Sequence, residues 1–131
     1  FGTLTSVPWG VSYPPGSYAF VDQVNKGLIN LMADQSLPVH PVQLYLSLKG
    51  LVLFLLCSWL WRQKKLGPGV LFGMYWMFYA VLRFVIEFNR GDAPLYLNAL
   101  TYGQIACLII FICSITYILV LKKREVVLLA E

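Results

Sequence analysis

Three apolar stretches constrain this chain more than any other feature: Val42 to Trp61, Val70 to Phe88 and Leu100 to Leu121. Each has the roughly 20 residues a helix needs to cross about 30 Å of hydrocarbon, where backbone N–H and C=O groups must be satisfied within the segment. The chain is therefore read as an all-α integral membrane protein with three transmembrane helices and an N-terminal extracytoplasmic loop arm. Composition agrees, since 59% of the 131 residues are hydrophobic and only 12% charged, against about 25% charged in an average soluble domain. In this reading residues 1–39 are the arm. Residues 40–131 are the membrane region, with helices at about 42–61, 70–88 and 100–121 and a cytoplasmic C-terminus.

The net charge of +4 matters less than its distribution. "RQKK" (62–65) closes the first span and "KKRE" (122–125) closes the third, so the positive-inside rule puts both clusters in the cytoplasm. These runs are short and join no other polar surface, so they are read as topology signals and no nucleic-acid partner is expected. Cys57, Cys107 and Cys113 all fall within apolar spans, without C-x-x-C or Cys/His spacing. They are read as packing residues, with neither a disulfide framework nor a metal site expected. The chain starts at Phe1 with no signal-peptide pattern, and it is expected to be a fragment or a processed piece.

The arm is punctuated by Pro8, Gly10, Pro14, Pro15, Gly16 and Pro38, which suits an ordered loop with turns. Val21, Val24, Leu28 and Leu31 have helical spacing, so a short surface helix is expected within residues 20–33. Pro41 suits a helix's first turn. "LGPGV" (66–70) reads as a tight cytoplasmic turn and "RGDAPLYLNA" (90–99) as an outer loop. Trp59 and Trp61, beside Arg62, suit an inner interfacial belt.

The second span breaks the apolar rule at its outer end. At 100° per residue, with Tyr79 as zero, Arg83 falls at about 40°, Glu87 at about 80° and Arg90 at about 20°, so the four side chains share one face. Glu87 is spaced to neutralise both arginines, Arg83 at i,i+4 and Arg90 at i,i+3. An arginine at the centre of a membrane helix carries a penalty of about 2.5–3.5 kcal/mol. Arg83 lies roughly 10 Å deeper than Arg90, where snorkelling is harder, and so requires an anionic partner. That partner is either a ligand or Glu87 itself, in an ion-pair ladder that only fixes helix packing.

"HPVQLY" (40–45) stands at the outer mouth of the first span, in the same leaflet as the stripe. His40 there can act as a general base or donate to a headgroup, or it can be a helix-start residue bonded to loop backbone. Gln43 and Tyr45 add neutral donors. Lys49 can contact the stripe or snorkel outward, and the outward direction is expected. Gly50, Gly73 and Gly103 are expected to allow close helix contact. "TYGQ" (101–104) opens the third span, where Gln104 can brace the site.

Four segments together resemble one family: "TLTSVPWGVSYPPGS" (3–17), "LPVHPVQLY" (37–45), "YAVLRFVIEFNRGD" (79–92) and "LTYGQ" (100–104). Their order and spacing are similar to the C-terminal half of bacterial prolipoprotein diacylglyceryl transferase. The resemblance implies a multi-pass enzyme of the bacterial plasma (inner) membrane with its site facing the extracytoplasmic leaflet. Such an enzyme moves the diacylglyceryl group of phosphatidylglycerol onto the lipobox cysteine of a prolipoprotein signal peptide and releases glycerol phosphate. No metal or organic cofactor is implied.

The family's essential arginine in Y-x-x-x-R-x-x-x-E-x-x-R falls on Arg83, with Tyr79, Glu87 and Arg90 at the matching positions. Its H-P-x-Q-L-Y motif falls on His40, Pro41, Gln43, Leu44 and Tyr45. Arg83, Glu87 and His40 are thus the catalytic candidates, and Arg90, Tyr79, Gln43, Tyr45 and Gln104 the substrate-binding ones. The family usually carries Glu where this chain has Leu46, and its other half supplies a His-Gly-Gly segment and an R-x-G-N-F-x-N stretch. Two functional expectations follow. The first is the C-terminal part of such a transferase, inactive as this piece alone. The second is a non-catalytic membrane scaffold or lipid-binding remnant of the same fold.

Overall fold

The computed structural model describes residues 1–63, 66–91, 95–96 and 100–128. Its chain order is helix α1 (Tyr18–Asn25), helix α2 (Val42–Arg62), helix α3 (Val70–Glu87), strands β1 (Leu95–Tyr96) and β2 (Leu100–Thr101), and helix α4 (Tyr102–Leu128). The helices α2, α3 and, over Tyr102–Arg124, α4 are long and apolar enough to cross a membrane. The chain is a membrane protein. Its large apolar side chains lie mostly on the outside, among them Leu51, Phe54 and Leu55 of α2 and Ile109, Ile112 and Leu119 of α4. That is the arrangement a lipid solvent rewards.

The third membrane helix, α4, starts two residues later than the apolar run suggests. Leu100 and Thr101 instead pair antiparallel with Tyr96 and Leu95. A reciprocal cap fixes the helix start: the Gln104 backbone N–H donates to Thr101 Oγ1 (3.2 Å), while Thr101 N–H donates to Gln104 Oε1 (3.0 Å). This is the T-x-x-Q capping box, and it satisfies two donors that would otherwise be orphaned near the membrane. The far end of α4 also runs beyond the expected Leu121.

α3 stops at Glu87 rather than Phe88, because Phe88, Asn89 and Arg90 bond back to the carbonyls of residues 85–87 in a tightened last turn. Lys64 and Lys65 of the first basic cluster lie outside the described residues, as do parts of the loop at 92–94 and 97–99 and the C-terminal residues 129–131.

α4 packs antiparallel along α3 more extensively than α2 does. The shared seam uses small or short residues: Gly73 and Ala80 on α3, Gly103, Cys107 and Ser114 on α4. Without water to drive helix association, close van der Waals approach holds such pairs together. A Cβ on Gly73 would lie 2.6 Å from Ile118 Cγ1, so Gly73 permits the contact expected of it. Gly50 does not conform: nothing lies within 4 Å of a Cβ built there. Ser47, Ser114 and Thr116 return their hydroxyls to carbonyls one turn back, which keeps their polar atoms satisfied in lipid.

The arm is stitched to residues 36–40. Val11 and Val39 exchange backbone hydrogen bonds, Thr5 N–H donates to Pro38, and His40 N–H donates to Thr3. Buried Gln23 grips the Leu37 backbone, accepting its N–H at Oε1 (2.7 Å) and donating Nε2 to its carbonyl (3.2 Å). The surface helix is shorter than the expected 20–33 window. Gly27, at φ +69°, turns the chain, and Leu28 N–H bonds to Gln23 while Gly27 N–H bonds to Val24. That pair of bonds is a Schellman C-cap, which ends α1 although the apolar spacing continues to Leu31.

Candidate lipid-headgroup site

At the arm end of the α3–α4 seam sits a buried carboxylate. Glu87 is 3% exposed, and Gly103 makes room for it, since a Cβ there would lie 2.6 Å from Glu87 Oε1. Arg83 Nη2 lies 3.0 Å from Glu87 Oε2, Arg90 Nη1 lies 3.4 Å from Oε1, and Thr101 Oγ1 donates to Oε1 at 3.3 Å. One carboxylate therefore ties together α3, the turn after it and the start of α4. Among the described residues, Arg83 Nη1 and Glu87 Oε2 are both buried without a hydrogen-bond partner, although Oε2 faces Arg83 Nη2 across the ion pair. A buried guanidinium N–H left unpaired carries a desolvation penalty on the order of 1–3 kcal/mol, more for a charged group. Arg83 thus stands as a donor awaiting an acceptor.

The stripe face holds together although its last member has left the helix. Arg90 lies beyond α3 and bridges Gly2 in an antiparallel contact, yet still reaches Glu87. Thr3 N–H donates to Asn89 and Gly91 N–H to Phe1, so residues 1–3 run between the end of α3 and the start of α2. Gly2 is packed against the His40 backbone, and a Cβ on Gly91 would lie 2.8 Å from the Gly2 carbonyl. Side chains there would pry the two motifs apart.

His40 belongs to a second cluster. Trp9 Nε1 donates to Tyr45 Oη (2.9 Å), which in turn is hydrogen-bonded to His40 Nδ1 (2.9 Å). The tautomer decides what the ring can do. With Tyr45 donating to Nδ1, Nε2 carries the ring proton and is a donor; with Nδ1 donating to Tyr45, Nε2 can accept a proton. Gln43 does not join either cluster through its side chain, which is exposed on α2. Gln104, 2% exposed, has its oxygen committed to the α4 cap, and so acts by positioning Thr101. Tyr79 meets a residue expected elsewhere: Lys49 Nζ stands 4.0 Å from the centre of its ring, rather than snorkelling outward.

Two further residues contribute to these clusters, Thr101 and Trp9. Thr101 was signalled by the T-x-x-Q spacing, but its partner Glu87 lies 14 positions away. Trp9 has no local signal, because its link to Tyr45 spans 36 positions.

Comparison with known proteins supplies the family. The model of the prolipoprotein diacylglyceryl transferase family matches residues 1–120. The chain belongs to that family. Among curated relatives, the phosphatidylglycerol–prolipoprotein diacylglyceryl transferase of Pseudomonas fluorescens is 39% identical over 112 residues, covering 82% of this chain and 35% of the relative. The proteins of the same name from Mannheimia succiniciproducens and Geobacter sulfurreducens are each 32% identical over 130 residues. They cover 95% and 96% of this chain, and 41% and 43% of the relatives. The chain thus spans well under half the length of these transferases. No solved structure matches it.

Proposed function

We propose that this chain is the part of a phosphatidylglycerol–prolipoprotein diacylglyceryl transferase that holds the phosphate of the lipid donor. The observation that carries this reading is the buried, unpartnered Arg83 Nη1 beside a carboxylate that already serves several donors. An ion-pair clasp, the scaffold alternative, accounts for Glu87 but leaves that nitrogen unexplained. In this reading residues 1–39 form an extracytoplasmic arm and residues 40–131 the three-helix membrane region. Arg62 with Lys122, Lys123 and Arg124 stands at the end away from the arm, which supports a cytoplasmic side there. The site then faces the extracytoplasmic leaflet of the bacterial inner membrane.

The chemistry follows from charge. The lipobox cysteine of the prolipoprotein signal peptide attacks the glyceryl carbon that carries the phosphate ester. A C–S bond forms, the C–O bond breaks, and the oxygen leaves on glycerol phosphate with the bonding electron pair. Negative charge on the phosphate group grows as that bond breaks, and an arginine fork in a dry site stabilises it. Glu87 orients Arg83 and Arg90, while Tyr79 supports the same face. The thiol, with an ordinary pKa of about 8.5, must give its proton to a base. His40 in the tautomer with Nε2 unprotonated is one candidate, and in the other tautomer it donates to the headgroup. Tyr45 sets the ring, with Gln43 and Gln104 in supporting positions.

The test is diacylglyceryl transfer from phosphatidylglycerol to a lipobox peptide, with this chain alone and then co-expressed with the N-terminal segment of the Pseudomonas fluorescens relative. Transfer on co-expression that Arg83→Ala abolishes supports the proposal. Transfer that persists in Arg83→Ala contradicts it, and inserted protein with no transfer in either case favours the scaffold.

A further inference from the structure

Among the described residues, Lys49 is an intramembrane cation that this mechanism leaves unused. It lies on α2, nine positions from His40, and a lysine at that depth ordinarily extends its stem toward water. Instead its ammonium stands over the Tyr79 ring at 4.0 Å, and Tyr79 is one helical turn from Arg83 on α3. Among the described residues Lys49 forms no ion pair, whereas the Glu87 carboxylate is committed to Arg83, Arg90 and Thr101. The Lys49 ammonium and the Arg83 guanidinium therefore both lie along the Tyr79 face of α3, with Glu87 paired to Arg83.

We propose that Lys49 and Arg83 form a two-cation cradle across α2 and α3 that grips the phosphate of the lipid donor, with the Tyr79 ring holding the ammonium in place. This rests on the headgroup reading above and adds a residue to it. The ring face occupies one side of the ammonium through a cation–π contact and leaves N–H donors to turn toward the phosphate. Arg83 contributes its unpartnered Nη1 from the other helix. The phosphate goes from a singly charged diester to a monoester that carries more negative charge as the C–O bond breaks. A second cation from a separate helix matches that gain, and an anion between the two adds to the tie that the Tyr79 contact already makes between α2 and α3. A lipid without phosphate gains nothing from either cation.

The experiment compares binding of short-chain phosphatidylglycerol and short-chain diacylglycerol to the detergent-solubilised chain, for wild type, Lys49→Gln, Lys49→Arg and Arg83→Gln. Loss of a charge-assisted hydrogen bond is expected to weaken phosphatidylglycerol binding by Lys49→Gln about tenfold or more. Diacylglycerol binding should stay within about twofold, and Lys49→Arg should retain most of the phosphatidylglycerol affinity. Unchanged phosphatidylglycerol binding in Lys49→Gln, with a loss in Arg83→Gln, overturns the cradle and leaves the headgroup reading standing. Unchanged binding in both variants, or a wild type that does not prefer phosphatidylglycerol, overturns both. Loss of both lipids in Lys49→Gln shows a packing role and overturns the cradle.

Discussion

At one end of the α3–α4 seam Gly73 admits Ile118 and Tyr117 of the facing helix; at the other Gly103 admits the Glu87 carboxylate. Both glycines let two helices approach closely, and in each case a Cβ would lie 2.6 Å from its nearest neighbour. What fills the space differs. At the Gly73 end the neighbours are Ile118 Cγ1 and the Tyr117 ring, apolar atoms whose displacement costs packing but breaks no charged contact. At the Gly103 end the neighbour is an ionised group fixed by Arg83, Arg90 and Thr101, so any shift breaks charged contacts. One helix pair thus carries a packing end and a binding end, and a small side chain means something different at each.

Substitutions can break that comparison. The largest effect is expected for Arg83→Ala in a transfer-competent assembly, which should lower transfer by about 100-fold or more while leaving membrane insertion intact, as loss of a preorganised charge donor does. Gly103→Ala comes next: the added methyl must displace Glu87 Oε1, and transfer should fall about tenfold with phosphatidylglycerol affinity falling alongside. Gly73→Ala is the control at the other end. Overpacking there should lower the thermal midpoint in detergent, a loss of about 1–3 kcal/mol, without changing the preference for phosphatidylglycerol over diacylglycerol. If Gly73→Ala and Gly103→Ala prove alike in both readouts, the two ends are not functionally distinct.

A smaller loss sharpens the same contrast. Thr101→Val keeps the shape but removes the hydroxyl half of the α4 cap and the hydroxyl donor to Glu87, so stability should fall by about 1 kcal/mol. Its effect on lipid preference should be weaker than that of Gly103→Ala, because both arginines still hold the carboxylate. Gly50→Ala, on a helix face with nothing within 4 Å, should be neutral or raise helix stability by about 0.5–1 kcal/mol. Circular-dichroism melts in detergent read both changes.

The membrane helices were legible because run length alone decides them: α2 occupies Val42–Arg62 and α3 Val70–Glu87, within one residue of the apolar stretches. The polar stripe was legible from the same 3.6-residue period, since Arg83 and Glu87 one turn apart on a helix must meet. The boundary of α4 was harder. Leu100 continues the apolar run, but the Thr101–Gln104 box starts the helix after it, so a capping signal outweighs hydropathy. Gly27 ended α1 for a similar reason, its positive φ overriding the apolar spacing beyond it.

Lys49 could not be placed by reading along α2, because the ring that holds its ammonium belongs to another helix. Gly50 likewise had the composition of a contact residue without a neighbouring helix to contact. Side-chain partners that span elements depend on tertiary packing, which periodicity within one element does not encode.

The most direct test of the binding end is a solid-state NMR measurement of dipolar coupling between the ³¹P nucleus of phosphatidylglycerol and ¹⁵N-labelled arginine side chains, with the protein reconstituted in bilayers. Strong dephasing of the Arg83 guanidinium signal by phosphorus is expected, showing the phosphate within hydrogen-bonding distance, as is its loss when Glu87→Gln releases the arginine. An Arg83 signal that phosphorus leaves untouched, in protein whose helices are correctly inserted, would mean that Arg83 and Glu87 serve packing alone.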